Sequence, residues 1–172
     1  MTRPTPLPYT GFRLDRKRRI GARWSERPGR GEATPDDVAS SSVVTYDYNE
    51  LGFRGPSYRP DAAWTAFVFG ESDAFGAEVA FEDVCAVRAA CEVARRRGVA
   101  PADVQVLSFA DEGASNAHIA RMVLTQCGAV RPDLVLVNFA EEARSEGLAR
   151  SDVFTAGPWM ATEEAAAMAR NA

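Results

Sequence analysis

Apolar residues fall into short runs and helical spacings between positions 43 and 139, and are sparse before them. Residues 43–48 (VVTYDY) are β-branched and aromatic, which predicts a short strand. Residues 49–60 (NELGFRGPSYRP) are turn-rich, broken by Gly52, Gly55, Pro56 and Pro60. From residue 65 the pattern changes: TAFVFG (65–70) is a continuous apolar run ending at Gly70, as a strand buried on both faces reads. Residues 81–97 place apolar side chains at 81, 84, 85, 87, 91 and 94, close to helical spacing, with Gly98 as the stop. DVQVLSF (103–109) predicts a second strand of this kind, and 115–127 a second helix closed by Gly128. LVLVNF (134–139), introduced by Pro132-Asp133, predicts a third. Beyond Phe139 the strand pattern stops, Gly157-Pro158 reads as a turn, and 162–169 (TEEAAAMA) as a terminal helix capped by Thr162.

Strand, helix, strand, helix, strand is the order of βαβ crossovers and a parallel sheet. The expectation is an α/β domain over residues 41–172, a flavodoxin-like three-layer sandwich with a short parallel sheet of at least three strands. Ligands in such sheets bind beyond the carboxyl ends of the strands, so loops 70–80, 110–116 and 139–158 are the ones to inspect. Residues 1–40 hold Pro4, Pro6, Pro8, Pro28 and Pro35 among Gly, Ser, Thr and Arg, and read as a flexible, basic arm.

Charge sharpens that division. Nine of the 20 Lys and Arg residues, but only three of the 24 Asp and Glu, lie in residues 1–34, so the arm is basic and the domain acidic. The run from Arg13 to Arg19 has no interleaved aromatics and belongs to no recognisable module, so it is read as a solvated tail rather than a nucleic-acid site. No apolar run approaches the roughly 20 residues of a membrane helix, and no apolar leader opens the chain. The expected location is cytoplasmic, without membrane attachment. Cys85, Cys91 and Cys127 lack the spacing of a disulfide frame or zinc site and are expected as small buried residues. The acidic residues 71, 73, 78, 111, 112, 141 and 142 are expected as solvated loop carboxylates rather than metal ligands; no cofactor is implied.

The loop after the first apolar strand reads Gly70-Glu71-Ser72-Asp73-Ala74-Phe75-Gly76. A serine there carries its hydroxyl to the carboxyl edge of the sheet, where N–H groups at a helix start can stabilise an oxyanion. With Phe69 before it, this stretch resembles the Gly-Asp-Ser block of the SGNH (GDSL-type) serine hydrolases. Residues 49–55 (NELGFRG) are similar to the Asn-x-x-Gly-Phe-Arg-Gly segment ahead of the nucleophile strand in that family. Residues 104–109 with Gly113 and Asn116 resemble the second block, and 131–137 (RPDLVLV) the strand leading to the third. The resemblance spans roughly residues 43–143.

It implies ester or O-acyl hydrolysis with Ser72 as nucleophile and the Gly113 N–H in the oxyanion hole. Glu71, Asp73, Asn116, Asn138 and Glu142 would line the binding site. The departures are specific. Glu71 stands where the family has Asp, and Ala140-Glu141-Glu142-Ala143 where its Gly-x-Asn-Asp block belongs. An ionised Glu142 cannot donate to an oxyanion, and Asn138 would substitute only if the strand end were rearranged. The Asp-x-x-His block is absent, so the sheet looks truncated relative to the family. The only histidine, His118, is expected as a surface or partly buried helical residue. Without a base a serine hydroxyl is a poor nucleophile. Two readings therefore stand: a hydrolase completed by a base from a protein partner or a missing segment, or a catalytically inactive SGNH-like binding module. A third, a basic-armed α/β protein with incidental likeness, ranks below both.

Overall fold

Every residue from Trp64 to Phe69 is buried, which places that run at the centre of a sheet covered on both faces. The computed structural model describes residues 5–8, 23–27, 31–32, 43–141, 145–149 and 152–156. In chain order the strands and helices are β1 (Arg23–Arg27), β2 (Gly31–Glu32), β3 (Val44–Asp47), β4 (Trp64–Phe69), α1 (Ser72–Phe75), α2 (Cys85–Arg96), β5 (Val104–Ser108), α3 (Asn116–Ala129), β6 (Leu134–Val137), β7 (Ser145–Ala149) and β8 (Asp152–Ala156).

β4 lies between β5 and β6, parallel to both, with Ala66 opposite Val106 on one side and Leu134 on the other. The expected α/β class with a three-stranded parallel sheet holds. Alternation along β4 separates two cores. Ala66 and Val68 pack with Val106 and with Val87, Ala90 and Ala94 of α2. Phe67 and Phe69 pack with Leu107, Phe109 and Ile119 and Met122 of α3. The two helices therefore cover opposite faces. In the α3 layer the Phe109 ring contacts Phe53, Phe67 and Phe69 at centroid distances of 4.7, 4.8 and 5.2 Å. Aromatic pairs at such distances add roughly 0.5–1.5 kcal/mol each beyond simple burial.

Several boundaries differ from the sequence expectation. Phe81–Asp83 forms a 3-10 turn, and Val84 is extended and buried, so α2 begins only at Cys85. α3 runs through Gly128 to Ala129 and ends where Val130 turns extended. Cys85 and Cys91 are exposed and Cys127 half-buried, because Val87, Ala90 and Ala94 take the sheet-facing side of α2. Strand structure does not stop at Phe139: β7 and β8 form an antiparallel hairpin outside the parallel sheet, joined by Arg150-Ser151. A connection without Asn-Gly or Asp-Gly, between segments of mixed polarity, carries no hairpin signature. The terminal helix expected at 162–169 lies outside the described residues.

Within the basic arm, β1 pairs antiparallel with β2 and with β3, Trp24 opposite Tyr46. The two edges of the parallel sheet differ. At the start of β5, Arg59 donates to the carbonyls of Ala102 and Val104 at 2.9 and 2.7 Å and covers that end of the edge. Along β6 no further strand pairs among the described residues, and Val135, Val137 and Phe139 are exposed, Phe139 to 72%.

Candidate functional site

The loops leaving β4 and β5 lead to helices on opposite faces, so the carboxyl ends of the strands are the rim at which ligands of such sheets bind. Gly70 makes the first of these loops possible. A Cβ at this position would lie 2.5 Å from the Ala74 Cβ and 2.9 Å from the Asn138 Cβ, so only glycine lets β4 leave the sheet this close to the end of β6. Glu71 follows as the N-cap of α1, and Ser72 is its first residue. The Ser72 hydroxyl, half-buried, donates a short hydrogen bond to the Glu71 carboxylate, which also accepts from the Asp73 N–H at 3.4 Å. Asp73 is exposed at the start of the same turn.

α1 is braced from beneath by the segment ahead of β4. Arg54, 2% exposed, donates to the carbonyls of Phe75 (2.7 Å), Gly76 and Val79. Its guanidinium lies 4.2 Å above the Tyr46 ring, and Tyr46 stacks on Phe75 at 5.7 Å. The Tyr46 hydroxyl accepts from the Glu78 N–H at 2.7 Å. A buried cation is tolerated because carbonyl oxygens at the end of α1 and an aromatic face replace its water. Asn49 shapes the turn that delivers Arg54: its side-chain oxygen accepts from the N–H groups of Leu51 and Phe53, at 3.0 and 3.1 Å. None of Arg54, Tyr46 and Asn49 was a candidate from sequence. The signal for two of them was the 49–55 segment, where Asn49 and Arg54 are among the positions that carry the resemblance.

The second loop is tied to the first. The Asp111 N–H donates to the Gly70 carbonyl at 3.0 Å, and Ala114 N–H returns to the Asp111 carbonyl at 3.1 Å. Gly113, between them, is half-buried with φ +74°. Ser115 then caps α3, accepting from the His118 N–H at 3.1 Å. Asn116 does not face a ligand space with free hydrogen-bonding groups. Its carboxamide clamps the Ala140 backbone, donating to the carbonyl at 2.9 Å and accepting from the N–H at 2.8 Å. Asn138 differs: its backbone N–H donates to Phe69 at 2.9 Å, while its half-buried side chain makes no hydrogen bond among the described residues. Glu142 lies outside them.

His118 is buried on the first turn of α3 rather than at the surface. Arg121 donates to its Nδ1 at 3.0 Å; since a guanidinium only donates, the ring proton sits on Nε2. No hydrogen bond joins His118 to Ser72, whose hydroxyl is held by Glu71. Two of the acidic residues expected in solvent, Glu71 and Asp111, are buried by their loop contacts. Among the described residues no three His, Cys, Asp or Glu side chains converge as metal ligands, and no helix is long and apolar enough to cross a membrane.

Ser72, Glu71, Asp73, Gly113, Asn116 and Asn138 thus come together on loops at one rim of the sheet, with Asn116 occupied in holding that rim together. In comparisons with known proteins, the chain matches no protein family, no curated protein and no solved structure.

Proposed function

We propose that this chain is an SGNH-like module that presents Ser72 to an ester or O-acyl group and hydrolyses it when a base is supplied by a partner chain. The observation that carries the reading is the placement of Ser72. It opens α1 directly after the central parallel strand, in a loop joined through the Gly70 carbonyl to the loop of Gly113. In the proposed reaction the Ser72 oxygen adds to the acyl carbon while its proton passes to the base. The alcohol leaves with that proton, and water cleaves the acyl-serine to release the acid and restore the hydroxyl. Backbone N–H groups of Ser72 and Gly113 are the proposed donors to the oxyanion.

Glu71 does not replace the missing base. An ordinary carboxylate titrates well below neutral pH, where a general base works best, and the Glu71 carboxylate is held as the N-cap of α1. The apolar edge of β6, which pairs with no further strand among the described residues, supports completion by a partner, because exposed sheet edges are normally paired or covered.

A small-molecule base tests the reading without the partner. Fluorophosphonate labelling of Ser72 should be slow in the isolated chain, accelerate with millimolar imidazole, and vanish in Ser72→Ala. Absence of labelling under both conditions would refute hydrolysis. The engagement of the Ser72 hydroxyl by Glu71 favours a second reading, a binding module that holds acylated ligands without turnover. That reading expects saturable ligand binding with no imidazole-dependent release of alcohol.

A further inference from the structure

Gln126 is a neutral side chain with 1% exposure on the last turns of α3. It is spent entirely on one distant backbone unit. Its Oε1 accepts from the Leu7 N–H at 2.8 Å and its Nε2 donates to the Leu7 carbonyl at 3.0 Å. One acceptor and one donor side by side are what a neighbouring strand would offer, so the carboxamide reads the backbone N–H and C=O of one residue rather than a side chain.

The sequence it reads is suited to that. In Pro6-Leu7-Pro8 only Leu7 has an N–H, because proline has none. Thr5 and Leu7 each precede a proline and are therefore biased toward extended backbone before any contact forms. Pro6 is fully buried, whereas the Leu7 side chain is 47% exposed and Thr5 and Pro8 are exposed. Recognition uses one proline ring and the backbone N–H and C=O of the residue that follows it.

We propose that the Gln126 site on α3 is a binding site for short extended Pro-X-Pro peptides, filled here by the chain's own residues 5–8 and open to the same motif from another chain. Because the X side chain points outward, the site selects backbone and proline rather than the identity of X. A tethered segment acts at an effective concentration of about millimolar, so a free peptide competes well only when the tethered copy is weakened.

The test uses the full chain with Pro6→Glu, which sets a charge where the buried ring sat and releases the tethered segment. A labelled peptide of residues 1–10 should bind this variant saturably and the wild type about tenfold or more weakly, read by fluorescence anisotropy. Binding should be lost in Pro6→Glu/Gln126→Ala and with a peptide N-methylated at Leu7, yet survive Leu7→Ala in the peptide. No saturable binding, or binding indifferent to Gln126→Ala and to N-methylation, would overturn the proposal. Should Pro6→Glu not fold, hydrogen exchange at the Leu7 amide decides. Protection of about tenfold or more in the wild type that disappears in Gln126→Ala supports the site, and an unprotected Leu7 amide in the wild type removes it.

Discussion

Arg54 holds a full charge among aromatic rings, and what it does there follows from what it touches. Its fork spans three carbonyls on the far side of α1, so it fixes the turn whose first residue is Ser72. Arg54→Ala would take the guanidinium donors from those carbonyls and leave a void beside Tyr46, a cost of about 3 kcal/mol. Arg54→Lys keeps the charge but cannot reach three acceptors at once, and should fall between. Urea unfolding of the two variants checks the order; an alanine variant as stable as the wild type would show that the bonds carry no net energy. The cysteines allow a chemical check on burial. Burial pushes the Cys127 thiol above its ordinary value, which leaves less thiolate at a given pH. Iodoacetamide at pH 8 should therefore alkylate Cys127 more slowly than the exposed Cys85 and Cys91. Equal rates would mean that the end of α3 opens readily.

At the scale of elements, α2 and α3 depend on different ends. In the last turn of α2, Arg95 and Arg96 both hold Glu92, at 2.6 and 2.7 Å. The hydrogen bonds from Arg95 and then Arg96 bring the Glu92 carboxyl down to about 2. A depressed carboxyl contributes stability above its unfolded value and loses it as pH falls, here between about 4.5 and about 2. Glu92→Gln should flatten the pH dependence of unfolding in that window, and high salt should shrink the difference because the pair is exposed. Superimposable profiles would refute the assignment. α3 relies on its start: Ser115→Ala removes the cap on the His118 N–H and should cost about 1 kcal/mol by thermal unfolding. These helices and the three parallel strands were legible in the sequence because apolar runs and helical spacing report burial directly. The placement of Ser72 was legible because a residue just past a buried strand sits at the sheet rim. The Arg54 contacts were not, since their acceptors are backbone carbonyls that leave no mark on composition. β1 was hidden for a related reason: an Arg- and Pro-rich stretch conceals a ladder made by backbone groups alone.

Across the whole molecule, the sequence sets a basic arm beside an acidic domain, yet among the described residues the contacts between them are not mainly ionic. β1 joins β3 through a backbone ladder, and Leu7 is held by a neutral carboxamide. The ion pair between Arg23 and Asp47 is exposed on both sides and adds little. Both cores, by contrast, are built from residues after position 43. A chain beginning at Pro35 should therefore retain a single cooperative unfolding transition at a lower midpoint, and the loss should vary little with salt. Gln126→Ala should be costly in the full chain, where it removes two hydrogen bonds, and cost less in the shortened one, where Leu7 is already gone. Calorimetry of the four proteins gives this coupling directly. Strictly additive losses would mean that the 5–8 segment contributes nothing through Gln126, and a shortened chain with no cooperative transition would make the arm part of the core.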